Sequence, residues 1–494
     1  MANGKLPGYL ASAVPNPVTN RAPWYKNTAQ TYAGIMLWFV FWSQIPLGSG
    51  LSGKAPGYSL FAGGTLAQGI GVALLSLIAA ALICHFLFYL VPGMLGMKTG
   101  LPLYIVGTST YGAQGGFLMP GFLMGVLQFG WLAVNGFFAG LLLVMPFFAL
   151  ADQGKAMGSV PHLVVSSIWI VLAAFMGVKG IKYVARVATF LPLIPLAVLV
   201  ILLVSTIGGV GKFDSQALIK AGEQFTPAVG EAIKAQPPLS MFGVLALIAT
   251  YVVGFFATAG AAGADFGMNN RNAKDVHMGG LVGIAFSTVF AGGVALLVVA
   301  GAYGSGIVTS GAVMDPTALM EAIVNGPTAK VLMYLLAIAA FPPACFSAFI
   351  AANSFKTTLP NVRPLITCGL GAIAAIVLVI TGWVGDAIGV FTIIGASFGP
   401  VCGAMMADYL LSGGKWAGPR SGFNPAGWIS WILGFAVGAA EFVAKIPGME
   451  ALAGKVPCPP VAAFIVGFVL YIILAKIGFQ SKTLQMPAMA AQKS

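Results

Sequence analysis

The sequence predicts an all-α polytopic membrane protein of about twelve transmembrane helices. Three observations carry that prediction. Of 494 residues, 59% are hydrophobic and 7% are charged, where a soluble globular protein has about 25% charged residues. Apolar runs long enough to span a bilayer recur from residue 29 to residue 479. Two of them, the first and the sixth, carry residues that interrupt helices, at corresponding places in two halves of the chain. That is the mark of a binding site built on broken helices.

The spans fall at about 29–50, 64–92, 117–150, 159–177, 183–208, 239–263, 279–303, 329–355, 362–382, 386–411, 426–444 and 459–479. They are called spans 1 to 12 below. Residues 1–28 are polar, lack an apolar leader segment and read as a cytoplasmic tail. Spans 1–5 (29–208) form a first repeat and spans 6–10 (239–411) a second. The loop 209–238, with Pro237-Pro238, lies outside and separates them. An odd number of spans per repeat gives the two halves opposite orientation, the geometry of alternating access. Spans 11 and 12 (412–479) are accessories, and 480–494 is a second cytoplasmic tail. With both termini inside, sixteen of the 24 basic residues are cytoplasmic, as the positive-inside rule requires. The net charge of +12 therefore belongs to loops at a membrane and not to nucleic-acid binding. A plasma membrane, or bacterial inner membrane, and a monomer are the expected setting.

The sixth span holds VGFFATAGAAGAD, Val253–Asp265. Gly and Ala there either break the helix to make half of a mid-membrane site or let helices pack closely. Phe255, Phe256 and Thr258 flank the predicted break. In span 1, Trp42, Ser43 and Gln44 precede Pro46, Gly48 and Gly50; unwound carbonyls at that place can hold a small cation. Gln128 and Trp131 of span 3 share one helix face. An indole ring suits stacking on a planar ligand, and an amide offers both donor and acceptor to a heterocycle edge. The alternative is that Trp131 packs and Gln128 bonds a neighbouring helix. In span 8, Pro342-Pro343 disrupt the helix, and Ser347 either serves a ligand or bonds back to its own helix. His85 in span 2 is the nearest thing to a mid-membrane ionisable group and reads as structure before proton relay. Asp265, Arg271 and Lys274 form either a gating ion-pair network or a solvated loop. Five scattered cysteines with no metal spacing support neither disulfides nor zinc. No phosphate-binding Walker loop, paired carboxylates or nucleophile elbow is present, so the expectation is a carrier and not an enzyme.

At KTGLP (98–102), QFGW (128–131), FATAGAAGADF (256–266), RNAK (271–274) and GPVCGAMMADYLL (399–411), the chain resembles the nucleobase:cation symporter-1 family, cytosine and purine permease branch. The resemblance covers roughly spans 1 to 10. It implies two five-helix inverted repeats of the LeuT type and a planar nucleobase stacked between Trp131 and Phe256, with Gln128 on its edge. Phe255 stands where cytosine permeases have a small polar residue. Pro342-Pro343-Ala344-Cys345-Phe346-Ser347 stands where the family has a Thr/Asn-rich cluster. The expected substrate contacts are thus Trp131, Gln128, Phe256, Phe255, Thr258, Trp42, Gln44 and Cys345. A coupling cation, Na⁺ ahead of H⁺, would sit between Phe41, Gln44 and Ser347. An amino acid or another small solute on the same fold is the alternative cargo; a channel and a non-transporting receptor rank below both.

Overall fold

The computed structural model describes residues 6–26, 41–42, 45–46, 61–149, 153–179, 190–223, 237–308, 316–444, 446–452 and 454–486. Eleven of the twelve expected spans are helices at their expected places. Nine of the described helices are long and apolar enough to cross a membrane: Gly69–Thr99, Phe117–Phe147, Val160–Lys179, Leu193–Val210, Met241–Ala261, Ala273–Gly304, Gly326–Lys356, Ala387–Leu411 and Pro459–Lys476. Spans 9 and 11 are the shorter Pro364–Ile380 and Pro425–Gly438. Span 1 lies outside the described residues except at 41–42 and 45–46.

Local chemistry sets the ends. Pro364, Pro425 and Pro459 open their helices, where a missing N–H costs nothing and φ is already helical. Ser240, Asn272 and Asp386 cap spans 6, 7 and 10 through side-chain oxygens. Gly100 and Gly382 take the left-handed conformation just after spans 2 and 9. Six-residue π-helical stretches interrupt span 2 at Cys84–Tyr89 and span 7 at Leu281–Phe286, and the chain kinks at Met119 (φ −130°, ψ 110°) where span 3 begins. Those in spans 2 and 7 touch each other.

Two groups of helices make the body. Spans 3, 4, 8 and 9 pack on one another, and spans 2, 6 and 7 form the second group. Spans 5 and 10 lean on the second group, 5 against 7 and 10 against both 6 and 2. The pattern repeats when five is added to a span number: 4 on 8 becomes 9 on 3, and 5 on 7 becomes 10 on 2. That exchange is what a LeuT-type fold of two equivalent halves requires. Spans 11 and 12 pack outside, against span 10.

With no apolar driving force between helices in lipid, close backbone approach has to hold them together. Glycines make the seams. A Cβ at Gly209 of span 5 would stand 2.0 Å from the Gly301 carbonyl oxygen of span 7. One at Gly254 of span 6 would stand 2.4 Å from that of Phe391 in span 10, and one at Gly403 of span 10 would stand 2.2 Å from that of Phe464 in span 12.

Two expectations need correction. Span 6 does not break in its centre: it is helical from Met241 to Ala261, turns at Ala262 and resumes as a short helix, Gly263–Gly267. Its small residues are packing surfaces instead: Gly254 against span 10, Gly260 against Phe88 and Gly267 against Gly93 of span 2. Span 8 likewise runs unbroken through Pro342 and Pro343. The prolines remove the N–H donors to the Ile338 and Ala339 carbonyls; one residue on, Asn135 Nδ2 of span 3 donates to the Ala340 carbonyl at 3.0 Å and ties span 3 to this weakened turn.

The N-terminal segment is not a free tail over residues 6–26. Leu10 is fully buried, and the Tyr9 hydroxyl donates to the Ala113 carbonyl. Arg21 donates to the Met97 and Asn16 carbonyls, Asn16 Nδ2 donates to the Met268 carbonyl, and the Trp24 N–H donates to Asp275. Helix C-termini leave carbonyls without donors. This strap supplies donors to the ends of spans 2 and 6.

Candidate functional site

The site forms where span 3 meets spans 6 and 10. Helical geometry advances about 100° per residue, so Tyr251, Phe255 and Thr258 of span 6 lie within about 60° of one another. That face meets Trp131. The indole Nε1 donates to Thr258 Oγ1 at 3.0 Å. The Phe255 ring stands edge-on to Trp131, with centroids 4.8 Å apart at 75°. Phe391 of span 10 packs against both, 5.0 Å from Trp131 at 32° and 5.5 Å from Phe255 at 87°. Tyr251 meets Phe391 edge-on at 4.9 Å, and Phe41 meets Tyr251 at 5.9 Å. The result is an aromatic box with Trp131 as its one half-exposed indole wall.

Two polar groups in or beside the box are uncommitted. Gln128, one turn before Trp131, is buried, and its amide N–H reaches only the Met124 thioether, at 3.5 Å. A thioether is a weak acceptor. The Tyr251 hydroxyl is buried without a partner among the described residues. Buried polar groups are rarely left this way unless they have a task or an absent partner.

The structure therefore joins Gln128, Trp131, Phe255 and Thr258 from the sequence reading. Phe256 is fully buried and touches Phe255 at 4.9 Å. It sits about 200° from Thr258 on the helix, so it cannot face Trp131 while Thr258 does. Cys345 is buried on span 8, with its carbonyl packed at Gly177 of span 4. Trp42 is buried. Gln44 and Ser43 lie outside the described residues. Of the expected cation ligands, Ser347 donates back to the Pro343 carbonyl of its own helix at 3.3 Å. The Phe41 carbonyl accepts the Ile45 N–H at 2.8 Å. The Ile45 and Pro46 carbonyls after it accept from Thr65 Oγ1, so the described end of span 1 is bonded within the protein.

Phe391 and Tyr251 were missed from the sequence. Tyr251 was within reach, because it continues the Phe255–Thr258 face by one turn. Phe391 had no local signal: only tertiary packing brings span 10 to span 3.

The charged cluster after span 6 splits in two. Asp265 accepts the Leu103 N–H at 3.2 Å, and burial pushes its carboxyl up to about 6 against that bond. Arg271 pairs with Asp275 at 3.1 Å, an i, i+4 bridge between an exposed guanidinium and a buried carboxylate; the hydrogen bond to Asp275 raises the Arg271 pKa. A denser node was missed. Asp408 Oδ1 accepts from Arg420 Nη2 at 2.9 Å and from the Tyr471 hydroxyl at 2.7 Å. Arg420 also donates to the Ser109 and Ser481 carbonyls. His85 lies in the π-helical stretch of span 2, 5.9 Å from His277, and neither ring nitrogen has a partner among the described residues.

A sequence model of amino acid permeases matches residues 37–359. The chain belongs to the amino acid permease family. This permease is also similar in fold to solved transporters. The inward-facing conformation of Mhp1 aligns with a TM-score of 0.65 at 14% identity, over 100% of this chain and 98% of that one. Mhp1 in a closed conformation with bromovinylhydantoin bound, described as a nucleobase-cation-symport-1 family transporter, aligns with 0.57 at 15% identity, over 98% of each chain. A substrate-bound, outward-open Na⁺-coupled sialic acid symporter aligns with 0.51 at 14% identity, over 95% of this chain and 92% of that one. Among curated protein sequences nothing matches.

Proposed function

We propose that this permease is a secondary-active symporter that imports a planar nitrogen heterocycle, a cytosine- or purine-like nucleobase, together with a cation, across a plasma membrane. The carrying observation is the aromatic box of Trp131, Phe255 and Phe391 with the uncommitted Gln128 amide beside it. A nucleobase would lie against the Trp131 face that Phe391 now occupies and would give Gln128 the partners its thioether contact does not. Displacing Phe391 requires span 10 to give way or its ring to turn, which couples substrate entry to the arm that leans on span 6. A ligand shifts such an equilibrium only by its differential affinity for the two states. Na⁺ ahead of H⁺ as the coupling ion rests on the family resemblance, with span 1 and Ser347 as the place to test.

The second reading is an amino acid as cargo, which the family match favours. Its carboxylate would need free backbone N–H groups at a helix break. Span 6 is continuous past Thr258, so span 1 would have to supply them. No charged side chain among those described lines the box.

The test is thermal stability of the purified protein against nucleobases, hydantoins and amino acids, each with and without Na⁺. A ligand that binds only the folded state raises apparent stability by mass action. Stabilisation by a nucleobase, enlarged by Na⁺, is expected. A response to an amino acid alone sinks the nucleobase reading. Nucleobase stabilisation indifferent to Na⁺ sinks sodium coupling and keeps the site.

A further inference from the structure

A cavity of about 470 Å³ opens between the ends of spans 4, 8 and 9 and shares no lining residue with the aromatic box. Its rim carries Lys179, Lys356 and Arg363, and Phe349 and Leu365 line its apolar side. All three cations are exposed. No carboxylate pairs with them among the described residues. The sequence explains why. No Asp or Glu occurs between Asp152 and Asp214, nor between Glu321 and Asp386, so the three helices reach this end with positive charge only. Lys179 and Lys356 stand in the last turns of their helices. There they complement the helix dipoles, which accounts for two cations singly. It does not account for Arg363, which stands at the N-cap of span 9. That helix end favours negative charge; Pro364 has no N–H, and the Ile366 and Thr367 N–H groups bond the Arg363 carbonyl, so the side-chain cations carry the attraction.

The surroundings select among anions. Leu365 and Ile366, on the first turn of span 9, are 48% and 52% exposed. They carry the apolar wall of the cavity out to the lipid-facing surface. A cavity with three cations at its rim and an apolar flank beside them matches an amphiphile with an anionic head. Basic pockets between transmembrane helices on the cytoplasmic side are suited to lipid head groups.

We infer that this cavity binds the phosphate head of an anionic phospholipid from the cytoplasmic leaflet, with Lys179, Lys356 and Arg363 on the phosphate and the acyl chains along Leu365. The lipid would clasp spans 4, 8 and 9, all members of the four-helix group.

The test is native mass spectrometry of the full-length protein, titrated with phosphatidylglycerol or phosphatidylcholine. The wild type should retain one phosphatidylglycerol more tightly than phosphatidylcholine. K356Q and R363Q should each weaken that retention about fivefold. The triple variant K179Q/K356Q/R363Q should abolish the preference, while K330Q, at the other end of span 8, should leave it intact. Melting temperatures without added lipid establish that each variant folds, and the single variants stand if the triple one does not. Equal retention of phosphatidylglycerol by wild type and by both single variants overturns the site. Inorganic phosphate that stabilises the wild type and displaces the lipid at millimolar concentration overturns the lipid assignment in favour of a free anion.

Discussion

The aromatic box and the Asp408 node are both buried polar places in one bundle, and they are built to opposite rules. At the node, Asp408, Arg420 and Tyr471 are all engaged, and the arginine reaches two further carbonyls. At the box, the Tyr251 hydroxyl has no partner among the described residues, and Gln128 has a thioether. A fully satisfied buried network rigidifies, whereas a partly satisfied one loses stability at every open group. The first ties span 10 to span 12, to the short helix Thr108–Tyr111 between spans 2 and 3, and to the segment after span 12. The second leaves polar valence open where a substrate can complete it.

The comparison breaks hardest at the node. Asp408→Ala leaves Arg420 buried without its counter-charge, and the expected loss is about 3–5 kcal/mol, read as a large fall in melting temperature. A small change there would mean that the node is solvated and the contrast false. The box should behave in the opposite way. Trp131→Ala should leave the protein folded and weaken nucleobase binding by about 1–3 kcal/mol, roughly 5- to 150-fold in Kd, measured by calorimetry. Phe255→Ala should cost more affinity than Phe256→Ala, and the reverse order would show that the span 6 helix rotates when loaded.

Asp265 lies between these extremes, with one hydrogen bond to a half-buried carboxyl. Its pKa is raised to about 6, so the ionised form is the one the fold disfavours. The stability this provides is complete below about pH 4 and is lost as pH rises through 6. Asp265→Asn keeps an acceptor for the Leu103 N–H and has no charge to desolvate. It should gain about 1–2 kcal/mol above pH 7 and flatten the stability profile between pH 4 and 7. An unchanged profile would show that water reaches the carboxylate. The smallest effect sharpens the contrast most. Tyr251→Phe removes an unpartnered hydroxyl, so stability should hold or rise by up to about 1 kcal/mol while ligand affinity falls by about 0.5–1.5 kcal/mol. A loss of stability would mean that the hydroxyl already has a partner.

Eleven spans were legible because bilayer length is a constraint written in one dimension: twenty apolar residues need no partner to be recognised. The box was half legible. Gln128 and Trp131 announced themselves as costly groups inside an apolar run. Phe255 and Phe256 were both expected at the substrate; the bond from Trp131 to Thr258 puts Phe255, and not Phe256, on the face that meets the indole. The interruptions misled for one reason. Gly and Pro are permissive and disruptive in isolation, but in span 6 the glycines receive neighbouring backbones, and in span 8 packing holds the helix through two prolines. Phe391 and the Asp408–Arg420 pair depend on spans meeting across the fold, which no local pattern encodes.

The bond from Trp131 to Thr258 joins the four-helix group to the group that carries span 6. Any motion separating the two must release the indole N–H. With the other eight tryptophans replaced by phenylalanine, the emission of Trp131 becomes a built-in optical gauge. Its wavelength and lifetime would report, in real time and without a label, when the two groups part.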